Sequence, residues 1–348
     1  MRDWGGEPLL TEVRGLFCGL AAVICLASTG AAEGLIVDDI VNSKALEDNF
    51  IGDSPRRDLR VYLPPRYDNN PDREYSVVYL LHGYPGEKGG RWEFVRKIAD
   101  TLIESGVIKP MILVAPHSRA GCFYVNSSAV GDWEDFIVYD VVEYIDQNYR
   151  TVPEANSRGI AGHSMGGSGA ISLAMKHPDV FTAAYGMSGG LGPIDREWLT
   201  EDDIWWSVAV MNRFPSPETF ADNFGFALSA VWSPNPDRKP LQIDLPVEIV
   251  DGQVQVIDSV LDRWDAQTPV KMVASHTSQL RSLSAIAFDV GISDWVGTVT
   301  GNREFSAALT EAGIAHIYEE YDGDHGNKVV GRTRTHLLPF FSEVLGHD

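Results

Sequence analysis

The chain has 348 residues, 44% of them hydrophobic, which suits one large domain or two ordinary ones with a buried core and excludes disorder as the main state. Asp and Glu outnumber Lys and Arg by 49 to 28, a formal net charge of −21, so the chain as a whole repels phosphate backbones and anionic lipid, and nucleic acid is not an expected partner. Cys18, Cys25 and Cys122 are too few for a disulfide scaffold and lack the paired spacing of a structural zinc site.

Arg2 and Arg14 precede an apolar run from Leu16 to Ala27, and the small residues Ser28-Thr29-Gly30-Ala31-Ala32 follow it. That order predicts a secretory signal peptide over residues 1–32, with Gly30 and Ala32 supplying the small side chains before the cut. The competing reading is a retained anchor helix, but about a dozen apolar residues are short for a bilayer core of roughly 30 Å. No later run is long enough to span a bilayer, so no stable membrane span is expected after cleavage, and the mature chain, 33–348, is expected outside the cytoplasm, secreted or periplasmic. Cleavage leaves Cys122 as the single cysteine, and internal disulfides are then impossible. It removes two arginines against Asp3, Glu7 and Glu12, so the acidity belongs to the mature chain.

Leu59-Arg60-Val61-Tyr62-Leu63 alternates and ends at Pro64-Pro65, as a strand does. Ser76 to Leu81 is a continuous apolar and β-branched run, the pattern of a strand covered on both faces, and it stops at His82-Gly83-Tyr84-Pro85-Gly86. Trp92 to Ile103 has helical spacing, Met111 to Ala115 is a second buried run, and Phe136 to Ile145 marks another helix before the short strand Gly159 to Gly162. Strand, helix, strand, helix, strand predicts an α/β fold with a mostly parallel, doubly wound sheet. From Leu191 to Leu283 the rhythm breaks: this stretch carries Trp198, Trp205, Trp206, Trp232 and Trp264, with weak periodicity, and reads as a cap-like insertion into one domain. Beyond it, Ala285 to Val290 and Ala315 to Tyr321 are strand-like, Glu304 to Ala312 is helical, and Val329 to Leu345 is a last helix interrupted near Pro339.

Gly162-His163-Ser164-Met165-Gly166 fits the nucleophile elbow G-x-S-x-G. The pattern is short enough to arise from composition; its place between a strand and a helix opening at Met165 is what carries it. A Gly-rich phosphate loop is the alternative, but no Lys follows at the required position and no G-x-G-x-x-G is present. A serine hydroxyl needs a base and a carboxylate to orient that base, and elbows of this kind place them downstream in the order Ser, acid, His. His325, in Tyr321-Asp322-Gly323-Asp324-His325-Gly326, falls in a polar turn between the last strand and the last helix, whereas His276, His316, His336 and His347 fall in the insertion, in a strand pattern, in a helix and at the terminus. Asp294, just past the strand Ala285 to Val290, is the expected acid, with Asp322 and Asp324 as rivals. For an oxyanion hole, one backbone N–H follows the nucleophile at Met165 and the other comes from the loop after an early strand, where Tyr84 has an N–H and Pro85 has none. His82 has no cluster of partners at ligand spacing, so neither metal nor other cofactor is expected.

Together these motifs resemble the esterase D-like family of α/β-hydrolases, the group of S-formylglutathione hydrolases, feruloyl and acetyl-xylan esterases, enterochelin esterases and mycolyltransferases. The resemblance rests on Tyr62-Leu63-Pro64-Pro65, Leu80-Leu81-His82-Gly83, Tyr124-Val125-Asn126-Ser127, Gly131 to Phe136, Gly162 to Gly167, Gly291 to Asp294 and Gly323-Asp324-His325. It implies an α/β-hydrolase fold, a Ser164-His325-Asp294 triad, Tyr84 and Met165 as oxyanion donors, and Tyr124, Asn126 and Trp133 as candidates for lining the substrate pocket or for plain packing. The expected activity is a serine carboxylic-ester hydrolase acting on a small-molecule or carbohydrate-linked ester. Two alternatives stand beside it: an acyltransferase using the same acyl-enzyme, and a carbohydrate- or lipid-binding member of the fold without catalysis. The insertion is longer than in compact formylglutathione hydrolases, and an export leader argues against a cytosolic role.

Overall fold

The computed structural model describes residues 32–84, 86, 91–201, 215–216 and 223–346. The expected leader, apart from Ala32, and residues 202–214 and 217–222 of the expected insertion lie outside the described residues.

Eight strands form the central sheet: β1 (Leu35–Asn42), β2 (Arg56–Leu63), β3 (Val77–Leu81), β4 (Ile112–Pro116), β5 (Arg158–His163), β6 (Ala183–Met187), β7 (Ala285–Gly291) and β8 (Ile317–Tyr321). Their order is β1-β2-β4-β3-β5-β6-β7-β8. β2 runs antiparallel to both neighbours, and every other pairing is parallel. The continuous apolar run of β3 is explained by its place in the middle: successive residues feed opposite faces, and both faces are covered. Val77, Tyr79 and Leu81 join Ile160, Ala184 and Phe288 in one apolar cluster, packed on Ile171 and Leu173 of the helix Met165–Lys176. Val78 joins Leu113, Ala161 and Ala287 in the cluster on the other face, under Ala99 and Leu102 of the helix Arg91–Glu104 and under Phe341 of the last helix.

The expected strands and helices appear with their ends moved by a few residues, except that the helix expected over Glu304 to Ala312 begins eight residues earlier, at Val296; β1 and β6 were missed. β6, Ala183-Ala184-Tyr185-Gly186-Met187, has no β-branched residue, so strand propensity is silent there. Its place is set by registry with β5 and β7 and by burial on both faces. Pro339 does not break the last helix: Val329–Arg332 leads into a π-helical turn, Thr333–Leu337, and then into Leu338–Val344. The wider turn takes up the missing N–H and the ring clash that a proline brings to a helix interior.

The insertion is built from short pieces, which is why its periodicity is weak. Among its described residues are the helix Phe224–Trp232, a hairpin of Val247–Val250 with Gln253–Val256, and the helix Asp258–Asp265. Leu199, Leu228, Val247, Val260, Leu261 and Trp264 close a small apolar cluster of their own.

Candidate active site

β5 ends at His163, and Ser164 follows with φ +58° and ψ −120°, a conformation that an L-residue holds only under constraint. Its N–H donates to the carbonyl of Met187 at the end of β6 (2.9 Å), and the helix begins at Met165. Two glycines make this turn possible. A Cβ on Gly162 would sit 2.4 Å from the backbone of Gly166, and one on Gly166 would sit 2.2 Å from the carbonyl oxygen of Leu81. The helix start therefore lies directly against the strand ends, and Ser164 is raised above the carboxyl edge of the sheet.

The loop after β7 and the turn after β8 are stitched together by Ile292 N–H donating to the Tyr321 carbonyl (2.9 Å) and Ser293 N–H to the Gly323 carbonyl (3.0 Å). This brings Asp294 to His325. His325 Nδ1 lies 2.9 and 3.0 Å from the two carboxylate oxygens of Asp294, and its Nε2 lies 2.9 Å from Ser164 Oγ. With Nδ1 donating to the carboxylate and Ser164 Oγ donating to Nε2, the three side chains form one hydrogen-bonded chain. The Asp294 side chain is fully buried, and Trp295 N–H donates to its Oδ1 (2.7 Å).

Asp324, one of the two rival acids, and Asp289, the aspartate inside β7, are occupied elsewhere. Asp324 accepts from the N–H groups of Gly326 (2.9 Å) and Asn327 (2.8 Å); these bonds shape the turn that presents His325 and hold the Asp324 carboxyl below its usual range. Asp289, inside β7, accepts from Tyr185 (2.6 Å) and Arg332 (2.5 Å). His316 bonds Ser306 and stacks on Phe288.

The loop after β3 passes beside the serine: a Cβ on Gly83 would lie 3.2 Å from Ser164 Cβ. His82 holds this loop, with Nδ1 donating to the Gly83 carbonyl (2.9 Å) and Nε2 accepting from Ser118 N–H (3.1 Å). Tyr84 follows Gly83 in this loop, and Met165 opens the helix directly after the serine.

Two of the three residues considered for a pocket lining or for plain packing are buried. Trp133 is fully buried, donates to the Val130 carbonyl (2.9 Å) and lies under the Arg57 guanidinium, so it belongs to the core. Tyr124 is buried as well, its ring against Gly169 and its hydroxyl donating to the His82 carbonyl (2.9 Å); it braces the loop from behind. Asn126 exchanges hydrogen bonds with Asp135 across a turn. The resemblance left pocket lining and plain packing open, and packing turns Tyr124 and Trp133 inward.

Three contacts were invisible in the sequence. His163 Nε2 donates to the His325 carbonyl (2.6 Å), tying the elbow to the histidine turn. The Trp295 ring lies 4.2 Å from the His325 imidazole, centre to centre. Phe224 of the insertion meets Tyr84 edge-on at 5.0 Å, and Phe123 bridges Phe224 and Trp232, so the insertion touches the loop beside the serine. A cavity of about 470 Å³ backs the elbow, lined by His82, Gly83, Gly162 and His163 but by neither Ser164 nor His325.

The strand order and the elbow define an α/β-hydrolase. The chain belongs to the family described as Putative esterase, whose model matches residues 54–329. It is 27% identical to the esterase Rv1288 of Mycobacterium tuberculosis over 91% of this chain, and it spans 65% of that relative's length. A mycolyltransferase, Ag85B of Mycolicibacterium smegmatis, is 27% identical over 46% of each chain. Among solved structures, a ferulic acid esterase superposes with a TM-score of 0.63 at 24% identity, covering 90% of this chain and 99% of its own. An S-formylglutathione hydrolase from Staphylococcus aureus does so with a TM-score of 0.60 at 15% identity, covering 90% and 100%. At these identities the superpositions speak for the fold alone.

Proposed function

We propose that this protein is a serine carboxylic-ester hydrolase in which Ser164 is the nucleophile, His325 the base and Asp294 the carboxylate that orients it. The observation that carries the reading is the unbroken chain from the Asp294 carboxylate through both nitrogens of His325 to Ser164 Oγ, each link 2.9–3.0 Å. Ser164 Oγ attacks the ester carbonyl carbon while its proton passes to His325 Nε2, and Asp294 faces the imidazolium that forms. The N–H groups of Met165 and Tyr84 receive the developing oxyanion, Met165 with the positive end of the helix dipole behind it. The C–O bond to the alcohol then breaks, the alcohol leaves with the proton from Nε2, and water discharges the acyl group by the same steps in reverse.

Purified Ser164→Ala protein is expected to hydrolyse short-chain p-nitrophenyl esters at a rate lower by about 10⁴-fold or more, with an unchanged circular dichroism spectrum. Undiminished turnover would refute the assignment. Similarity to a mycolyltransferase favours one second reading, transfer of the same acyl group to an alcohol or sugar. Measuring how the acyl-enzyme partitions between water and added acceptor separates the two. A panel of feruloyl, acetyl-sugar and aliphatic esters identifies the acid component. We also propose that residues 1–32 direct export and are removed; no helix among the described residues is long and apolar enough to cross a membrane.

A further inference from the structure

We propose that the exposed side chain of Trp295, with Ile292 and Val296, forms the surface that holds the alcohol half of the ester, and that it selects a bulky aromatic or apolar alcohol. The inference rests on the hydrolase reading above and adds the part of the substrate that the acid loop recognises.

The path of the proton limits where the alcohol can sit. When the C–O bond to the alcohol breaks, the leaving oxygen takes its proton from His325 Nε2 and therefore lies within hydrogen-bond reach of that nitrogen. The rest of the alcohol then starts beside the imidazole, and the surface next to that ring is open to it. What the protein presents beside the imidazole is the indole of Trp295, 4.2 Å away between ring centres and tilted by 36°. Trp295 is 67% exposed, Ile292 on the same loop is 54% exposed, and Val296, the first residue of the helix Val296–Glu311, is 75% exposed. Three large apolar side chains within five residues, beside a fully buried carboxylate, form an exposed apolar patch, and such patches mark binding surfaces.

The patch is also firmly held. Ile292 and Ser293 are bonded to the histidine turn, Asp294 N–H donates to the Gly291 carbonyl (3.0 Å), and the N–H groups of Thr298 and Val299 donate to the Trp295 carbonyl (2.9 and 3.1 Å). An indole fixed on a rigid loop binds an aromatic or apolar group without a large ordering cost. In acyl transfer the same surface receives the acceptor alcohol, because deacylation retraces the path of the leaving group.

The test uses acetate esters that share the acyl group and differ in the alcohol: ethyl acetate and 2-naphthylmethyl acetate. The wild-type protein is expected to favour the naphthylmethyl ester in kcat/KM, and Trp295→Ala is expected to lower the ratio between the two by about tenfold, with Trp295→Phe restoring most of it. A residue that merely positioned His325 would slow both esters alike and leave the ratio unchanged, and that result would overturn the proposal. A second measurement is independent of turnover: titration of Ser164→Ala protein with 2-naphthylmethanol, followed by tryptophan fluorescence, is expected to saturate, and to weaken about tenfold when Trp295→Ala is added. No saturable binding, or binding indifferent to Trp295, counts against the surface. Failure of the nucleophile assignment shows itself separately, as retained hydrolysis in Ser164→Ala.

Discussion

At the residue scale, the candidate site is decided by which of several chemically similar groups the backbone aims at one another. Asp294 and Asp324 lie 30 residues apart in the sequence, and both are near His325 in the fold, yet their surroundings differ. Asp294 is buried with both oxygens at hydrogen-bond distance from the imidazole, while Asp324 spends its carboxylate on two backbone N–H groups. Asp294→Asn is therefore expected to lower kcat by roughly 10⁴-fold, since an amide facing Nδ1 favours the wrong tautomer. Asp324→Asn is expected to cost less than about tenfold, because an amide oxygen still accepts the two turn bonds. Steady-state kinetics of the two variants checks the order, and the reverse ranking would move the acid to Asp324. Cys122 is a second case in which environment overrides type. It is fully buried, and burial pushes its thiol up to about 12. In the mature native chain a thiol reagent at pH 8 is expected to leave it unmodified and to label one equivalent once guanidinium unfolds the protein; fast labelling of native protein would contradict its burial.

Among the elements, the last helix is fastened to the sheet just beyond the histidine turn by a charge cluster that is buried at Arg332 and Asp289 and open to solvent at Glu319. Arg332 bonds Asp289 of β7 and Glu319 of β8 (2.7 Å), and Asp289 also accepts from Tyr185 of β6. Burial pushes the Asp289 carboxyl up in pKa, against the pull of Tyr185 and Arg332. Arg332→Met is expected to destabilise the fold by about 3–5 kcal/mol, because it leaves a buried carboxylate without its cation. Adding Asp289→Asn to that variant is expected to recover much of the loss. Denaturant unfolding of the single and double variants measures both; additive losses would mean that the pair is not coupled. Glycine spacing, the β3 run and the nucleophile helix were all legible in the sequence, because strong local patterns specified each one. β6 was not, since its small residues carry no pattern and only its two neighbouring strands define it.

For the molecule as a whole, the sheet, its two covering layers and the insertion converge at the carboxyl ends of the strands, where the Ser164 elbow, the Asp294 loop and the His325 turn meet. Among the described residues the first strand lies only a few residues after the expected cut: β1 starts at Leu35, and the Gly34 N–H donates to Asp100 (3.0 Å). Mass spectrometry of the exported protein is expected to find Glu33 at or near the amino terminus; an intact Met1 on exported protein would refute cleavage. The sequence by itself determined the α/β alternation, the G-x-S-x-G turn and, through chain order and the polar turns, Asp294 and His325 as candidate partners of Ser164, because each is written in local spacing. The tertiary structure alone decided that Tyr124 and Trp133 turn into the core, that His163 braces the histidine turn, and that Trp295 stands beside the imidazole. Those facts depend on how distant segments pack, and no local pattern encodes them.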